Sequence, residues 1–130
     1  MDLEKLGMRK KLGTSYDVAL PRVVEALKRE GFGILTEIDV KQALKDKIGV
    51  DFRRYEILGA CHPPSAHAVL EAEPEVGLLL PCNVVVYEVG ENETMVSAFD
   101  PLEMASGMPE IEGVAREVRG RLERALGALD

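Results

Sequence analysis

The period of apolar and polar positions changes several times along this chain, and each change marks an element. Tyr16, Leu20, Val23, Val24 and Leu27 recur at helical spacing. They predict a helix capped by Thr14 or Ser15, with Asp17 favourable in the first turn and Gly31 at the stop. Pro21 lies inside that pattern, and its missing N–H predicts a kink or restart. Residues 32–38 then alternate, with Phe32, Ile34, Thr36 and Ile38 on one side, which predicts a strand. Residues 8–12, MRKKL, form an earlier strand candidate. Asp39 followed by Gln42 resembles a capping box, opening a short helix that stops near Gly49.

The second half reads in the same way. Tyr55–Cys61 predicts a strand in which Gly59 leaves room for another backbone or a ligand. Two prolines follow, and one suits the first turn of a helix over residues 65–72 that ends at Pro74. Residues 78–80 predict a brief strand. The apolar run 83–89 predicts a central strand covered on both faces. A turn at 90–93 joins it to a strand at 94–99, making a hairpin. Asp100-Pro101 has N-cap and first-turn chemistry for a short helix over 102–105. Ile111, Val114, Val118, Leu122, Ala125, Leu126 and Leu129 form the apolar stripe of a last helix over 109–129. The order is β-α-β-α-β-α-β-β-β-α-α. It predicts an α+β fold, a mostly antiparallel sheet of about five to six strands with helices packed on it, in a single domain over residues 1–130.

Composition narrows the function classes. The chain is 46% hydrophobic and 30% charged, as expected of a globular domain. Its net charge of -7 argues against nucleic acid as a partner. The arginines of the last helix, among them Arg116, Arg119, Arg121 and Arg124, are interleaved with Glu117 and Glu123, which reads as a solvated face. The longest apolar stretch, 76–86, is broken by Pro81 and Asn83 and falls short of the about 20 residues a membrane span needs. No signal-like apolar core opens the chain. The expectation is a cytoplasmic protein with no membrane partner and two reduced thiols.

Candidate chemistry gathers in 57-ILGACHPPSAHAVL-70 and 78-LLLPCNVVVYE-88. A hairpin of the last two strands brings Asp100 near Cys82 and Asn83. If the 55–61 strand runs antiparallel to 83–89, Cys61 and His62 reach the same edge, with His67 one turn into the helix. This predicts a ligand-binding rim of Cys61, His62, His67, Cys82, Asn83 and Asp100. Each also has a plain structural role: the cysteines as small apolar fill, His62 as a turn residue, His67 on the surface, Asn83 in a loop and Asp100 as a cap. Cys61, His62, His67 and Cys82 are zinc donors in kind, but twenty residues separate the cysteines and no C-x₂₋₄-C pair is present, so no metal is assigned. Cys61 precedes a helix start, which favours a thiolate, so Cys61 or Cys82 would carry any catalysis. The standard nucleotide, hydrolase and metalloprotease motifs are absent, and Ser65 and Ser97 show no base arrangement in their spacing.

The phrases 31-GFGILTEIDVKQALKDKIGVDF-52, 57-ILGACHPPSAHAVLEAEPEVGLLLPCNVVVYE-88 and 99-FDPLEM-104 resemble the domain-of-unknown-function 302 family of bacteria and archaea. The resemblance covers most of the chain. It implies a compact α+β domain, dimeric in some members, and brings no agreed activity. Members commonly have Asn where this chain has His62, and position 67 varies among them, so a two-histidine metal site would be peculiar to this chain. The matching positions are Cys61, Pro63, Cys82, Asn83, Asp100 and Pro101. The leading expectation is a homodimeric binding or accessory module with a small-ligand pocket near Cys61, Cys82 and Asp100. The alternatives are a thiol-dependent redox or sulfur-transfer protein, and a structural or protein-interaction module without a ligand. No cofactor is assigned.

Overall fold

The computed structural model describes residues 3–129. Its strands are β1 (Gly7–Leu12), β2 (Gly33–Asp39), β3 (Tyr55–Cys61), β4 (Cys82–Gly90) and β5 (Glu93–Phe99). Its helices are α1 (Leu3–Leu6), α2 (Tyr16–Arg29), α3 (Val40–Ile48), α4 (Pro63–Ala72), α5 (Pro101–Met104) and α6 (Pro109–Gly127). The strands form one sheet in the order β1-β5-β4-β3-β2, and every neighbouring pair is antiparallel. The fold is α+β. No helix among the described residues is long and apolar enough to cross a membrane.

Local chemistry sets the element ends. Ser15 caps α2 by accepting from the Val18 N–H. At the other end the Phe32 N–H bonds to Leu27 O and the Gly31 N–H to Lys28 O, the paired closure of a Schellman motif. That motif needs a left-handed residue, and Gly31 has φ +88. Asp39 accepts from the Gln42 N–H to start α3, while the Gln42 side chain reaches forward to Asp46, so only half of the expected box forms. Gly49, at φ 67, ends it. Pro63 and Pro64 both fit the first turn of α4.

Three expectations change. First, α2 runs unbroken through Pro21. Pro21 and Asp17, whose carbonyl loses its helical donor, are both exposed, so that oxygen is not left in the apolar core. Second, the strand expected at 78–80 is absent. Pro74–Leu79 is a 3₁₀ turn opened by Glu73, whose side chain accepts from the Glu75 N–H, and Leu78 stands 82% exposed. The sheet therefore has five strands. Third, β4 is central but covered on one face only. Cys82, Val84 and Val86 are buried, whereas Asn83 and Val89 are exposed and Val85 and Tyr87 half-buried.

Two apolar clusters result. The larger joins the covered face of the sheet (Leu58, Ala60, Val84, Val86, Val96) to α2 and the second half of α6. The smaller joins Val69, Val76, Met104, Ala105, Ile111 and Ala115, so it binds α4, the 3₁₀ turn and α5 to the first half of α6. Leu80, Phe99 and Val114 pack against both. Among the described residues of β4, those on the opposite face of the sheet are half-buried to exposed. The middle row of that face is Ile38, Ile57, Val85, Ser97 and Arg9, and its next row runs from Tyr55, stacked on Tyr87 at 5.1 Å, through Met95 to Lys11.

Candidate functional site

The two clusters do not close on each other completely. A cavity of about 230 Å³ lies at their seam, beyond the ends of β3 and β4. Ala60, Cys61 and Cys82 reach it from the sheet, and Val114, Ala115 and Val118 from α6. His62, Ser65, Ala66 and Val69 of the α4 segment line another wall, and Met104 closes the α5 side. Leu35 and Leu70 border it and are exposed. Its walls are almost wholly apolar, and no Asp, Glu, Lys or Arg lines it.

Local geometry explains why polar groups are held there. The Ala60–Cys82 pairing places Cys82 on the covered face. His62 is the N-cap residue of α4, and its Nδ1 lies 2.6 Å from Ser65 Oγ, one turn into the helix. The His62 ring packs edge-on against Phe32, with 6.2 Å between ring centroids. A Cβ at Gly31 would lie 3.1 Å from His62 Cδ2 and 3.3 Å from Arg121 Nη1, a tight fit that adds to the preference for glycine set by φ. Ser65 is buried.

Both thiols are free. Burial pushes the Cys61 thiol up. Burial, with Cys61 as neighbour, pushes Cys82 up to about 11. Burial lowers His62, and the nearby Arg121 guanidinium lowers it further, against a smaller upward pull from Glu117. The site therefore favours protonated thiols and a neutral imidazole.

Of the six rim residues expected from the sequence, the structure brings together Cys61, His62 and Cys82. The other three face elsewhere. His67 is exposed, with Nε2 3.2 Å from Glu71. Asn83 projects from the open face of the sheet, opposite Gly59. Asp100 caps α5 through the Leu102 N–H at 2.9 Å and pairs with Arg119 at 3.2 Å. The zinc candidate set Cys61, His62, His67 and Cys82 is thus broken at His67, and no group of three or more His, Cys, Asp or Glu side chains among the described residues is disposed to hold a metal. Gly59 does not face a ligand either. A Cβ there would lie 2.2 Å from Thr36 Oγ1 and 2.8 Å from Pro81 Cγ, so those side chains occupy the space.

Sequence reasoning missed Ser65 and Met104. The signal for Ser65 was present in the His62-x-x-Ser65 spacing across a helix start, which faces the two side chains on one side. Met104 gave none, because α5 reaches the cavity only through its packing on α6.

A family model described as "Domain of unknown function DUF302" matches residues 8–129. The chain is similar to a solved structure described as an uncharacterized conserved protein DUF302 from Bacillus stearothermophilus. The two are 30% identical with a TM-score of 0.86, and the match covers 96% of this chain and 98% of that one. No curated protein matches.

Proposed function

The chain belongs to the DUF302 family, and from that premise we propose that it is a homodimeric module that binds a small molecule in the seam cavity. The observation that carries this reading is the cavity itself. It is apolar, about 230 Å³, and furnished with one oriented polar pair. A few convergent polar groups in an apolar hollow are the usual form of a small-molecule site. The raised thiol pKa values support binding over a thiolate mechanism, since the thiolate is the reactive species.

The open sheet face supports the dimer. Five strands spaced about 4.8 Å apart and about seven residues long offer roughly 550 Å². Two copies face to face would then cover about 1,100 Å², just above the roughly 1,000 Å² a specific interface needs. The face is apolar at its centre, with Ile57, Val85 and the Tyr55–Tyr87 stack, and Ile38 is 47% exposed.

Amide NMR with benzene as probe tests the cavity. Benzene occupies an apolar cavity of about 150 Å³ in another protein. Shifts at saturation should cluster at Ala60, Ala66, Val69 and Val114. No shifts there would overturn the binding reading. Sedimentation equilibrium tests the dimer, with a monomer at working concentration as the outcome that removes it.

A further inference from the structure

We infer that the occupant of the seam cavity is an uncharged lipophilic molecule of about nine non-hydrogen atoms bearing one hydroxyl or carbonyl group. The inference rests on the binding reading above and adds a chemical class to it.

Size comes from volume. A cavity of about 150 Å³ holds the six carbons of benzene, so the same packing in this cavity gives about nine atoms. The absence of charge comes from the walls. In a chain that is 30% charged, no ionised side chain lines the cavity. Arg121, beside His62, donates to Glu30 O at 2.9 Å and pairs with Glu117 at 3.2 Å, and Arg119 lies 3.2 Å from Asp100. The Nε–H of each is buried without a hydrogen-bond partner among the described residues, but neither guanidinium lines the cavity. A carboxylate or ammonium entering the cavity would lose its hydration and meet no counter-charge among the lining side chains.

The single polar group comes from a hydrogen-bond count. A neutral imidazole has one N–H and one acceptor nitrogen, and a hydroxyl has one donor and two acceptor positions. His62 and Ser65 spend one bond on each other. If His62 Nδ1–H donates, the Ser65 O–H stays free to donate. If Ser65 donates, its oxygen still accepts. A ligand hydroxyl suits both arrangements, and a carbonyl suits the first. The two thiols add only weak donors.

Titration of 1-alkanols and of the matching n-alkanoates, followed by amide NMR at pH 7.5, tests the class. Each methylene from 1-butanol to 1-octanol should tighten binding about fourfold, the equivalent of about 0.8 kcal/mol per buried CH₂. The gain should stop at 1-octanol, which has nine non-hydrogen atoms. Octanoate should bind at least tenfold more weakly than 1-octanol. Ser65→Ala should weaken 1-octanol severalfold more than it weakens benzene, and Ala66→Phe, at the half-buried edge, should block both. Octanoate binding as tightly as 1-octanol, or benzene binding without any alkanol binding, would overturn the class while the cavity reading stands. Ser65→Ala weakening 1-octanol no more than benzene would overturn the polar contact. Failure of benzene and all alkanols together would overturn the binding reading itself.

Discussion

Cys82 is 6% exposed at the start of the central strand, and this burial has a consequence at alkaline pH. Its pKa rises from 9.0 to about 11 in the fold. The unfolded chain therefore releases the thiol proton first, and stability falls as pH rises between those values. The loss should be roughly 2–3 kcal/mol between pH 9 and 11 in urea titrations, and Cys82→Ala should flatten that slope. His62 acts in the opposite direction. Its pKa is lowered, so the unfolded chain takes up a proton first and stability should fall as pH drops below about 6.5. Gly59 gives a steric prediction. Gly59→Ala should cost about 1–3 kcal/mol by overpacking against Thr36 and Pro81, and Thr36→Ala in the same chain should recover part of it. The need for glycine was readable in the sequence, but its neighbour was not. Thr36 meets Gly59 only through the β2–β3 register, which skips Leu35 at a bulge.

Elements were legible where periodicity and capping residues agreed. The stripe from Ile111 to Leu126 and the Asp39 and Gly49 ends of α3 could be read directly, because these signals are local. The 78–80 strand misled for the opposite reason. Its leucines have strand composition, yet both sheet edges are taken by β1 and β2, and Pro74 starts a tight turn. The long apolar run of β4 likewise signalled a central position correctly, but not that only one of its faces is buried. α6 carries a local weakness that can be tested. Gly113 lies within the helix with open space where a Cβ would stand. Gly113→Ala should stabilise the protein by about 1 kcal/mol, read as a raised midpoint in urea with unchanged steepness.

At the scale of the whole molecule, the antiparallel sheet was legible in the sequence, whereas of the six-residue rim expected from a supposed β3–β4 pairing only Cys61, His62 and Cys82 line the cavity, and His67, Asn83 and Asp100 face elsewhere. The cavity was not legible, because it depends on how two clusters fail to merge. The same holds for the uncovered face. A lysine placed at its centre, Val85→Lys, should yield a folded monomer by sedimentation if that face joins two copies. The seam has one more consequence, in time rather than space. The smaller cluster meets the rest through few shared side chains, so its segments form a natural unit of partial opening. Amide protons of α4 should exchange with deuterium well before those of β4, by excursions that leave the sheet intact. Such excursions would widen the cavity from within and give any occupant a second route to solvent, besides the mouth bordered by Leu35 and Leu70.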